Sequence, residues 1–426
     1  MERIAIIDGI RTPFSKAGGA LATIQADDLG AIVVRELLMK TGVHASEIDN
    51  VFIGNVAQPA HAANIARVIA LKGGIPKEVP AATVHRNCAS GMESISQAAK
   101  SLWCGESKVV LAGGTESMSN IPLLFNDEMK NWFENLYKCK TIPQRLAHFA
   151  KLRPHHFAPV IGVLQGLTDP VCNLLMGMTA ENVAREFHIS REEQDQFALK
   201  SHQRAVVARD RLTDEIIPVP LPPKYTSTLQ FDDGPRDNQS LAALAKLKPY
   251  FDRKNGTVTV GNACPITDGA AMVILMTESE AKSRGLKPIG YVKAFSYAGL
   301  DPHRMGLGPV YATAKLFDQT GLSLSDIQLI ELNEAFAAQV IGNMKAFESD
   351  QFAQTHLNRP KALGAIDPDL LNVNGGAIAT GHPVGTSGTR IVVTALKEMA
   401  RRNLQTGLAT LCIGGGQGAA FIVERE

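Results

Sequence analysis

The stretch that decides the fold runs from residue 84 to residue 120 and reads VHRNCASGMESISQAAKSLWCGESKVVLAGGTESMSN. It places Cys88 just before a helical pattern over 91–103, and the strand-like run VVLAGG follows that pattern. The unpaired N–H groups in the first turn of a helix carry partial positive charge, which stabilises a thiolate and lowers its pKa. Cys88 is therefore either a reactive thiol or a small buried hydrophobe, and the rest of the chain must decide between the two.

A second stretch repeats the order of these parts. Residues 372–399 read NVNGGAIATGHPVGTSGTRIVVTALKEM, and LATLCIGGGQGAAFIV follows at 408–423. In both halves of the chain a strand, a polar turn, a glycine-rich helix entry and a Gly-Gly strand end occur in the same order. This pattern predicts an α/β fold built from a duplicated unit, with the loops of both copies around a shared site.

A different kind of sequence separates the two halves. Residues 119–248 are rich in charges and prolines and lack a regular alternation of strands and helices. Thr141 with Pro143 indicates a helix start within this region, and Ser190 with Glu193 predicts a capping box. We predict three parts: an N-terminal half over 1–118 with 249–275, an inserted loop domain over 119–248, and a C-terminal half over 276–426.

The composition excludes several classes of function. The 43 Lys and Arg residues nearly balance the 42 Asp and Glu residues, so no global field attracts nucleic acid. The six cysteines form no CxxC pair, which indicates neither a zinc site nor a disulfide framework. The N-terminus has no signal-peptide pattern, and prolines interrupt the apolar stretch 157–176. We expect a cytoplasmic protein without a metal ion or a membrane-spanning helix.

Three further segments supply what a cysteine nucleophile would need. GHPVGTSG places His382 at a second glycine-rich helix entry, where an imidazole can serve as a base. LNEAF places Asn333 and Glu334 after a strand, and CIGGGQG offers the Cys412 thiol beside exposed N–H groups. The structural alternatives are a packed histidine, a tight glycine turn and a strand-end bend. None of the segments is a GxGxxG loop after a strand, so nucleotide redox chemistry is unsupported.

Eight motifs spread over nearly the whole chain resemble those of the thiolases. In chain order they are NCASGMESI, GGTESMS, MGMTAENVA, GNACPITDGAA, MGLGPVYAT, LNEAFAAQ, GGAIATGHPVGTSGTR and CIGGGQGAA. The resemblance implies the thiolase fold, in which two duplicated halves form a five-layered αβαβα core and a loop domain is inserted in the first half.

The resemblance also implies a role for each site residue. Cys88 would accept an acyl group from acyl-CoA after activation by His382, and Cys412 would exchange a proton at the substrate α-carbon. Asn333 would hold a water that forms one oxyanion hole with His382, and the N–H groups of Cys88 and Gly414 would form the other. The implied reaction is that of fatty-acid β-oxidation: 3-ketoacyl-CoA and CoA give acetyl-CoA and a shortened acyl-CoA, with coenzyme A as substrate and no cofactor.

The subgroup within the thiolases is left open by the sequence. TIPQRLAHFAKLRPHHFAPV and LAKLKPYFDRKNGTVTV resemble the β-subunits of fatty-acid oxidation complexes, but those usually have histidine in place of Asn333. Leu175 stands where short-chain acetoacetyl-CoA enzymes commonly have histidine, which favours a less polar acyl pocket. The alternatives are an acetoacetyl-CoA thiolase working in the biosynthetic direction, a decarboxylating ketoacyl synthase, and a non-catalytic thiolase-fold scaffold or lipid-binding subunit.

The ligand contacts and the partners are also expectations from the resemblance and the charge pattern. Arg236 matches the family arginine near the adenine of CoA, and Cys264 replaces the serine of a GNAS motif. We expect a homodimer or homotetramer. The basic segment 135–168 has no Asp or Glu, so it is a solvated helix face, a site for the CoA phosphates, or a docking surface. The docking partner would be an anionic membrane or a hydratase/dehydrogenase α-subunit.

Overall fold

A computed structural model describes residues 2–426 of the chain. Its strands, numbered in chain order, are β1 (Ile4–Arg11), β2 (Ser15–Lys16), β3 (Asn50–Gly54), β4 (Ala81–Val84), β5 (Val109–Ser117), β6 (Leu123–Leu124), β7 (Val160–Ile161), β8 (Val219–Pro220), β9 (Thr228–Leu229), β10 (Thr267–Thr277), β11 (Gly290–Gly299), β12 (Leu329–Leu332), β13 (Thr406–Ile413) and β14 (Gln417–Glu424). The long strands are buried almost throughout, because they lie between layers of helices.

The helices are α1 (Ala26–Thr41), α2 (Ile65–Lys72), α3 (Ser90–Trp103), α4 (Asp127–Lys138), α5 (Ile142–Phe149), α6 (Gly162–Gly166), α7 (Met176–Glu186), α8 (Arg191–Ala208), α9 (Leu241–Ala245), α10 (Glu278–Ser283), α11 (Gly308–Thr320), α12 (Ala337–Phe347), α13 (Asp350–His356), α14 (Ala377–Thr380) and α15 (Ser387–Arg402). The helical pattern over 91–103 corresponds to α3. Ser190 and Glu193 form the predicted capping box at the start of α8, and Thr141 caps α5. Among residues 2–426, no helix is both long and apolar enough to cross a membrane.

The main strands form two related sheets joined by a short seam. Their order is β12-β13-β14-β11-β1-β10-β5-β3-β4, and β2 pairs with β10. The seam between β1 and β11 spans only the pairs from Ile4↔Val292 to Ile6↔Gly290. In both sheets parallel pairing gives way to antiparallel pairing, at β3-β5-β10-β1 in one and at β12-β13-β14-β11 in the other. The duplication predicted from the repeated motifs is therefore confirmed in the topology.

The helices cover the faces of the two sheets in a layered arrangement. Helices α3 and α15 pack against each other between the two sheets, α3 on β3 and β5, and α15 on β12 and β13. On the outer face of the first sheet lie α1 and α2, and α11 covers the second sheet with α12 beside it. One apolar core fills the space around α3 and α15, and two others fill the outer layers. The predicted five-layered αβαβα core is confirmed.

The inserted region contains two parts that pack differently. Residues Ile121–Thr168 form a separate compact unit, in which Trp132 lies against His148 and Phe149 with ring centroids 5.1 Å apart in each case. Residues 169–248 pack with the duplicated halves instead, through the contacts of α7 and α8 with α12. The region 119–248, which the sequence analysis treats as one loop domain, thus has two structural components.

Candidate active site

A tight turn between β4 and α3 holds Cys88 at the mouth of the helix. Asn87 adopts a left-handed backbone with φ +43°, a conformation that asparagine tolerates better than most residues. The hydroxyl of Ser90 donates to the backbone oxygen of Asn87 at 2.7 Å and accepts the N–H of Arg86 at 2.9 Å. Because these bonds close the turn on both sides, Cys88 has little freedom to leave the first turn of α3.

Two glycines let the first turns of α3 and α15 touch through their backbones. A Cβ at Gly91 would lie 2.7 Å from the backbone nitrogen of Thr389, and one at Gly388 would lie 2.6 Å from that of Met92. No larger residue fits at either position without moving a helix. This contact brings the segment that carries Cys88 next to the loop before α15, which carries His382.

The imidazole of His382 is buried, with 4% of the residue exposed. Its backbone N–H donates to Thr267 Oγ1 at 3.1 Å, and its ring Nδ1 lies 2.6 Å from Ser387 Oγ. Its Nε2 has no hydrogen-bond partner among residues 2–426. Burial, aided by the charge of Arg390, lowers the pKa of His382 to about 3, so the ring is neutral at physiological pH. A neutral imidazole with one free nitrogen is equipped to act as a base.

The thiol of Cys88 is protonated in the resting site. Burial raises its pKa, although the backbone N–H groups of Gly414 and of Cys88 itself partly oppose this, and the carboxyl of Glu116 adds to the rise. The expectation that the pKa of Cys88 is lowered at the helix entry is therefore wrong, because loss of hydration outweighs the backbone N–H groups that favour the thiolate. The two N–H groups that approach the sulfur are those assigned to an oxyanion hole from the sequence.

Two further thiols share this interior. Cys412 lies one residue before the end of β13 with 1% of its surface exposed, and its pKa is raised well above the ordinary value by burial and by the thiols of Cys88 and Cys264. The backbone N–H of Cys264 donates to the carbonyl of Ala335 at 3.0 Å, which anchors Cys264 beside the segment after β12. Burial, with a contribution from Cys88, raises the pKa of Cys264 to about 12. The structure thus brings Cys88, Cys264 and Cys412 into one neutral cluster.

Asn333 and Glu334 have different environments although they are adjacent. The backbone N–H of Asn333 donates to Thr410 on β13 at 3.0 Å, and neither atom of its fully buried amide finds a partner among residues 2–426. Such an amide is free to bind a water or a substrate oxygen. Glu334 instead accepts hydrogen bonds from Ser201 Oγ at 2.6 Å and Asn372 Nδ2 at 2.9 Å. Glu334 therefore ties together the surrounding segments.

The turn that contains Gly414 is fastened to the turn that contains Cys88. Asn87 Nδ2 donates to the carbonyl oxygen of Gly414 at 2.7 Å, and Arg86 Nη1 donates to Gln417 Oε1 at 3.2 Å. Gly416 has φ +77°, which a residue with a side chain rarely adopts. These bonds orient the peptide groups of the turn. The sequence analysis did not single out Asn87 or Arg86, although both lie within two residues of Cys88.

Glu116 is a second functional candidate that the sequence analysis missed. The motif GGTES contains it, but a carboxylate near the end of a strand has no specific signal in one sequence. Glu116 accepts the backbone N–H groups of Gly385 at 2.9 Å and of Val56 and Ala57 at 3.0 Å. Burial raises its pKa to about 7. Glu116 thereby holds the loop after His382 against the N-terminal half.

Arg236 lies on a cavity of about 220 Å³ whose walls also include Lys16 and His202. Burial lowers the pKa of Lys16, and the nearby charge of Arg236 lowers it further. Burial and then the same two cations lower the pKa of His202 to about 4. Pro265, the neighbour of Cys264, forms another part of the wall. The cavity therefore combines positive charge with a position beside the thiol cluster, and Lys16 and His202 had no recognisable signal in the sequence.

The fold and the assembled side chains define the class of this protein as an acyltransferase with a cysteine-rich site. The family model for the thiolase N-terminal domain matches residues 4–279, and the model for the thiolase C-terminal domain matches residues 286–425. The chain belongs to the thiolase family, as its motifs predicted.

Individual relatives match over the full length. The 3-ketoacyl-CoA thiolase of Pseudoalteromonas translucida (strain TAC 125) is 42% identical, over 99% of this chain and 97% of that protein. The 3-ketoacyl-CoA thiolase of Serratia proteamaculans (strain 568) is also 42% identical, over 100% and 97%.

Solved structures agree with these sequence relationships. The acetyl-CoA acetyltransferase of Bacillus anthracis superposes with a TM-score of 0.86 at 36% identity, covering 100% of this chain and 99% of that chain. Human mitochondrial 3-ketoacyl-CoA thiolase in complex with CoA superposes with a TM-score of 0.85 at 35% identity, covering 100% and 98%. The similarity thus extends over both duplicated halves.

Proposed function

We propose that this chain is a 3-ketoacyl-CoA thiolase that acts in fatty-acid β-oxidation. It cleaves 3-ketoacyl-CoA with CoA into acetyl-CoA and an acyl-CoA shortened by two carbons. The full-length relatives with this name support the assignment. The structural observation that carries it is the link between the Cys88 turn and the Gly414 turn, made by the 2.7 Å hydrogen bond from Asn87 Nδ2 to the carbonyl oxygen of Gly414. A nucleophile with oxyanion donors already in place is suited to acyl transfer.

In the first half-reaction Cys88 attacks the ketone carbon of the substrate. The thiol proton passes to Nε2 of His382 as the sulfur–carbon bond forms, and the N–H groups of Cys88 and Gly414 stabilise the resulting oxyanion. The bond between carbons 2 and 3 then breaks and leaves an acyl group on Cys88. The acetyl-CoA enolate takes a proton from Cys412, while the amide of Asn333, through a water, stabilises the enolate oxygen. Each oxyanion donor typically contributes about 3 kcal/mol.

In the second half-reaction the thiol of CoA attacks the thioester on Cys88. Its proton passes to the Cys412 thiolate, and the departing sulfur of Cys88 recovers the proton held by His382. All three residues then return to their starting forms. This sequence explains the use of two cysteines, because one carries the acyl group while the other exchanges a proton with carbon. The neutral resting states of the three groups agree with this proton order.

We place CoA at the cationic cavity formed by Lys16, His202 and Arg236. The CoA-bound human structure resembles this chain over its whole length, which supports coenzyme A as the ligand. The phosphates of CoA would offset the repulsion between Lys16 and Arg236. Cys264 directly precedes Pro265, which lines this cavity, and would contact the pantetheine arm only weakly, because a thiol is a poor hydrogen-bond partner.

A series of 3-ketoacyl-CoA substrates of increasing chain length, each with CoA, tests the proposal. We expect acetyl-CoA release with chains well beyond four carbons. Activity confined to the four-carbon substrate would favour an acetoacetyl-CoA thiolase. Turnover of a malonyl thioester would instead favour a decarboxylating ketoacyl synthase, and a folded chain that turns over none of these would be a scaffold or a lipid-binding subunit.

We propose a homodimer as the basic assembly, with a homotetramer as its dimer of dimers. Strand β4 is the outer strand at the β3 side of the main sheet, and within residues 2–426 only β3 pairs with it. Three of its four residues are partly buried, and the fourth, Ala82, is exposed. An edge of this kind is a ready surface for pairing with a second copy. Light scattering of the intact chain tests the stoichiometry.

We further propose that the unit Ile121–Thr168 docks onto an anionic lipid surface. Its helix α5 exposes an apolar face, with Ile142 74% and Leu146 66% accessible. The same unit carries exposed cations that form no ion pair with a carboxylate in the described part of the chain; they are Lys138, Lys140, Arg145, Lys151 and Arg153. Exposed apolar side chains flanked by unpaired cations are typical of a membrane-surface contact. A hydratase/dehydrogenase α-subunit is the other partner to be tested.

The cytoplasm is the compartment we propose for this reaction. In the structure all six cysteines are free thiols. A reducing compartment keeps the three clustered thiols in that form.

A further inference from the structure

Two hydroxyl groups hold His382 in the structure. Thr267 Oγ1 donates to the carbonyl of Pro265 at 2.7 Å and accepts the backbone N–H of His382 at 3.1 Å. Ser387 Oγ lies 3.1 Å from the carbonyl of Pro383, to which it can donate, and 2.6 Å from Nδ1 of His382. Both His382 and Ser387 are buried, so water cannot replace these contacts. The Thr267 hydroxyl thus holds the backbone of His382, and the Ser387 hydroxyl holds its ring.

The Ser387 hydroxyl has only one proton to donate. If that proton goes to Pro383, the short contact to His382 requires Nδ1 to carry the ring proton and donate it to Ser387. The ring is neutral, so it carries a single proton and Nε2 is then a bare lone pair. If the serine proton went to Nδ1 instead, Nε2 would carry the proton.

Burial decides between these two arrangements. Nε2 has no partner among residues 2–426. A buried N–H without an acceptor carries the full desolvation penalty of about 1–3 kcal/mol. In the first arrangement the unpaired atom is an acceptor, which can take a proton from the Cys88 thiol. In the second arrangement it is a buried donor, and no acceptor among residues 2–426 satisfies it.

We propose that Ser387 is a positioning residue that accepts the Nδ1 proton of His382 and so keeps the Nε2 lone pair available to the Cys88 thiol. The proposal rests on the proposed function for the identity of the proton that Nε2 receives. The tautomer itself depends only on the geometry of the resting site. Ser387 contacts no reacting atom, so its effect on turnover passes through His382 alone.

Nitrogen-15 NMR of the intact chain labelled in its histidine rings measures the tautomer directly. Comparison with His382→Gln identifies the resonances of His382. We expect a protonated, pyrrole-type Nδ1 and an unprotonated, pyridine-type Nε2. A protonated Nε2 in the unmodified chain would overturn the proposal. This readout does not depend on thiolysis, so it still decides the tautomer if the proposed activity is absent.

Kinetics of Ser387→Ala provide the second test. We expect kcat to fall by about tenfold or more, since a base contributes about 10²–10⁴ to the rate only in its correct protonation state. The KM for CoA should stay within about twofold, because the cationic cavity is untouched. In the same variant the NMR signals of His382 should shift toward a mixture of tautomers.

Ser101→Ala is the matched control. Its hydroxyl is also buried and makes one hydrogen bond, to Ser107 at 2.8 Å, at the far end of α3. We expect kcat and the His382 signals to be unchanged in this control. A Ser387→Ala variant with normal kcat and an unchanged tautomer would contradict the role of Ser387. If that variant fails to fold, the NMR spectrum of the unmodified chain still decides the proposal.

Discussion

Thr389 of α15 donates its hydroxyl to the backbone oxygen of Gly91 in α3 at 3.1 Å. A methyl group at Gly91 would lie 2.6 Å from that same hydroxyl, so no side chain separates the two helices at this point. One helix comes from each half of the duplicated chain, and the candidate nucleophile and base each precede one of them. The chemistry we propose therefore depends on a contact between the two halves.

Replacing Cys88 and Cys412 one at a time should separate the two roles that we propose for them. Cys88→Ala should abolish the acyl adduct that acyl-CoA forms with the protein, because the nucleophile is gone. Cys412→Ala should still form the adduct on Cys88 but lose deuterium exchange at the α-carbon of acetyl-CoA, because acylation involves no carbon acid. Mass spectrometry of the intact protein and NMR of the thioester measure the two outcomes.

Cys104→Ala, which removes an exposed thiol, is the control and should behave like the unmodified chain. The assignment of roles would be wrong if Cys412→Ala formed no adduct under conditions where the control does.

Alkylation of Cys88 by iodoacetamide should rise steadily with pH. Only the thiolate reacts, and burial raises the pKa of Cys88 above its ordinary value, so the thiolate fraction keeps increasing up to and beyond about pH 9. His382, with its pKa lowered to about 3, does not supply a positive charge near neutrality that would reverse this. Mass mapping of the alkylated peptide from pH 6 to 10 gives the profile. A plateau near pH 7 would reveal a low-pKa thiolate instead.

Asn333→Asp should reduce turnover by about 100-fold or more. In the mechanism that we propose, a water held by Asn333 stabilises the enolate oxygen, and a carboxylate at this buried position would oppose the charge on that oxygen. The KM for substrate should change much less than kcat. Steady-state kinetics and thermal unfolding of the same preparation separate loss of catalysis from loss of fold. Near-normal turnover in a folded variant would remove Asn333 from the oxyanion hole.

Arg236→Ala and Lys16→Ala should each raise the KM for CoA by about fivefold to tenfold, roughly 1–1.4 kcal/mol in binding. The reason is that each substitution removes one positive charge from the cavity beside the thiol cluster. Added salt should reduce the difference. Arg253→Ala, an exposed arginine outside the cavity wall, is the matched control. An unchanged KM in both cavity variants would place the CoA phosphates elsewhere.

Neutralising Lys138, Arg145 and Lys151 together to glutamine should weaken association with anionic vesicles at low salt. Each cation near such a surface contributes about 1 kcal/mol, so the triple variant should bind roughly 100-fold less well. The KM for CoA should remain within about threefold. Sedimentation with vesicles of mixed phosphatidylglycerol and phosphatidylcholine measures the association.

The matched control changes three exposed cations of the other structural unit: Lys224, Arg253 and Lys361. It should bind vesicles nearly as well as the unmodified chain. A large rise in the KM for CoA with unchanged vesicle binding would assign the basic segment to CoA. If the triple variant lost binding to an α-subunit but kept vesicle binding, the basic segment would be assigned to that partner.

Much of the architecture was predictable because it depends on patterns within short stretches of the sequence. Hydrophobic periodicity predicted α3 to within one residue of its start at Ser90. Ser190 predicted its own capping box because that motif involves residues only three apart. The repeated order of strands and glycine-rich helix entries predicted the duplicated core, since each half must bury the same kind of face. Motifs over the full length also predicted the family.

The electrostatic state of the site was not predictable in the same way. From the sequence, Cys88 at a helix entry indicated a lowered pKa, whereas in the structure burial raises this pKa and the carboxyl of Glu116 adds to the rise. The desolvation of a side chain depends on every element packed over it. A local sequence pattern therefore does not predict how far a pKa is shifted by burial. For the same reason the unpaired amide of Asn333 became visible only once β12 and β13 were in place.

By itself, the sequence determined the main elements, their duplicated order and a set of candidate site residues, because these follow from periodicity, capping and motifs within short stretches of chain. Only the tertiary structure decided how those residues act on one another. It joined Asn87 to Gly414, which lie 327 positions apart in the chain, and it grouped Lys16 with Arg236 on one cavity. It also buried the contact between Ser387 and His382, from which we infer the tautomer of the ring. Proximity between distant segments and loss of water are properties of the packed molecule, so they arise only when both halves of the chain close around α3 and α15.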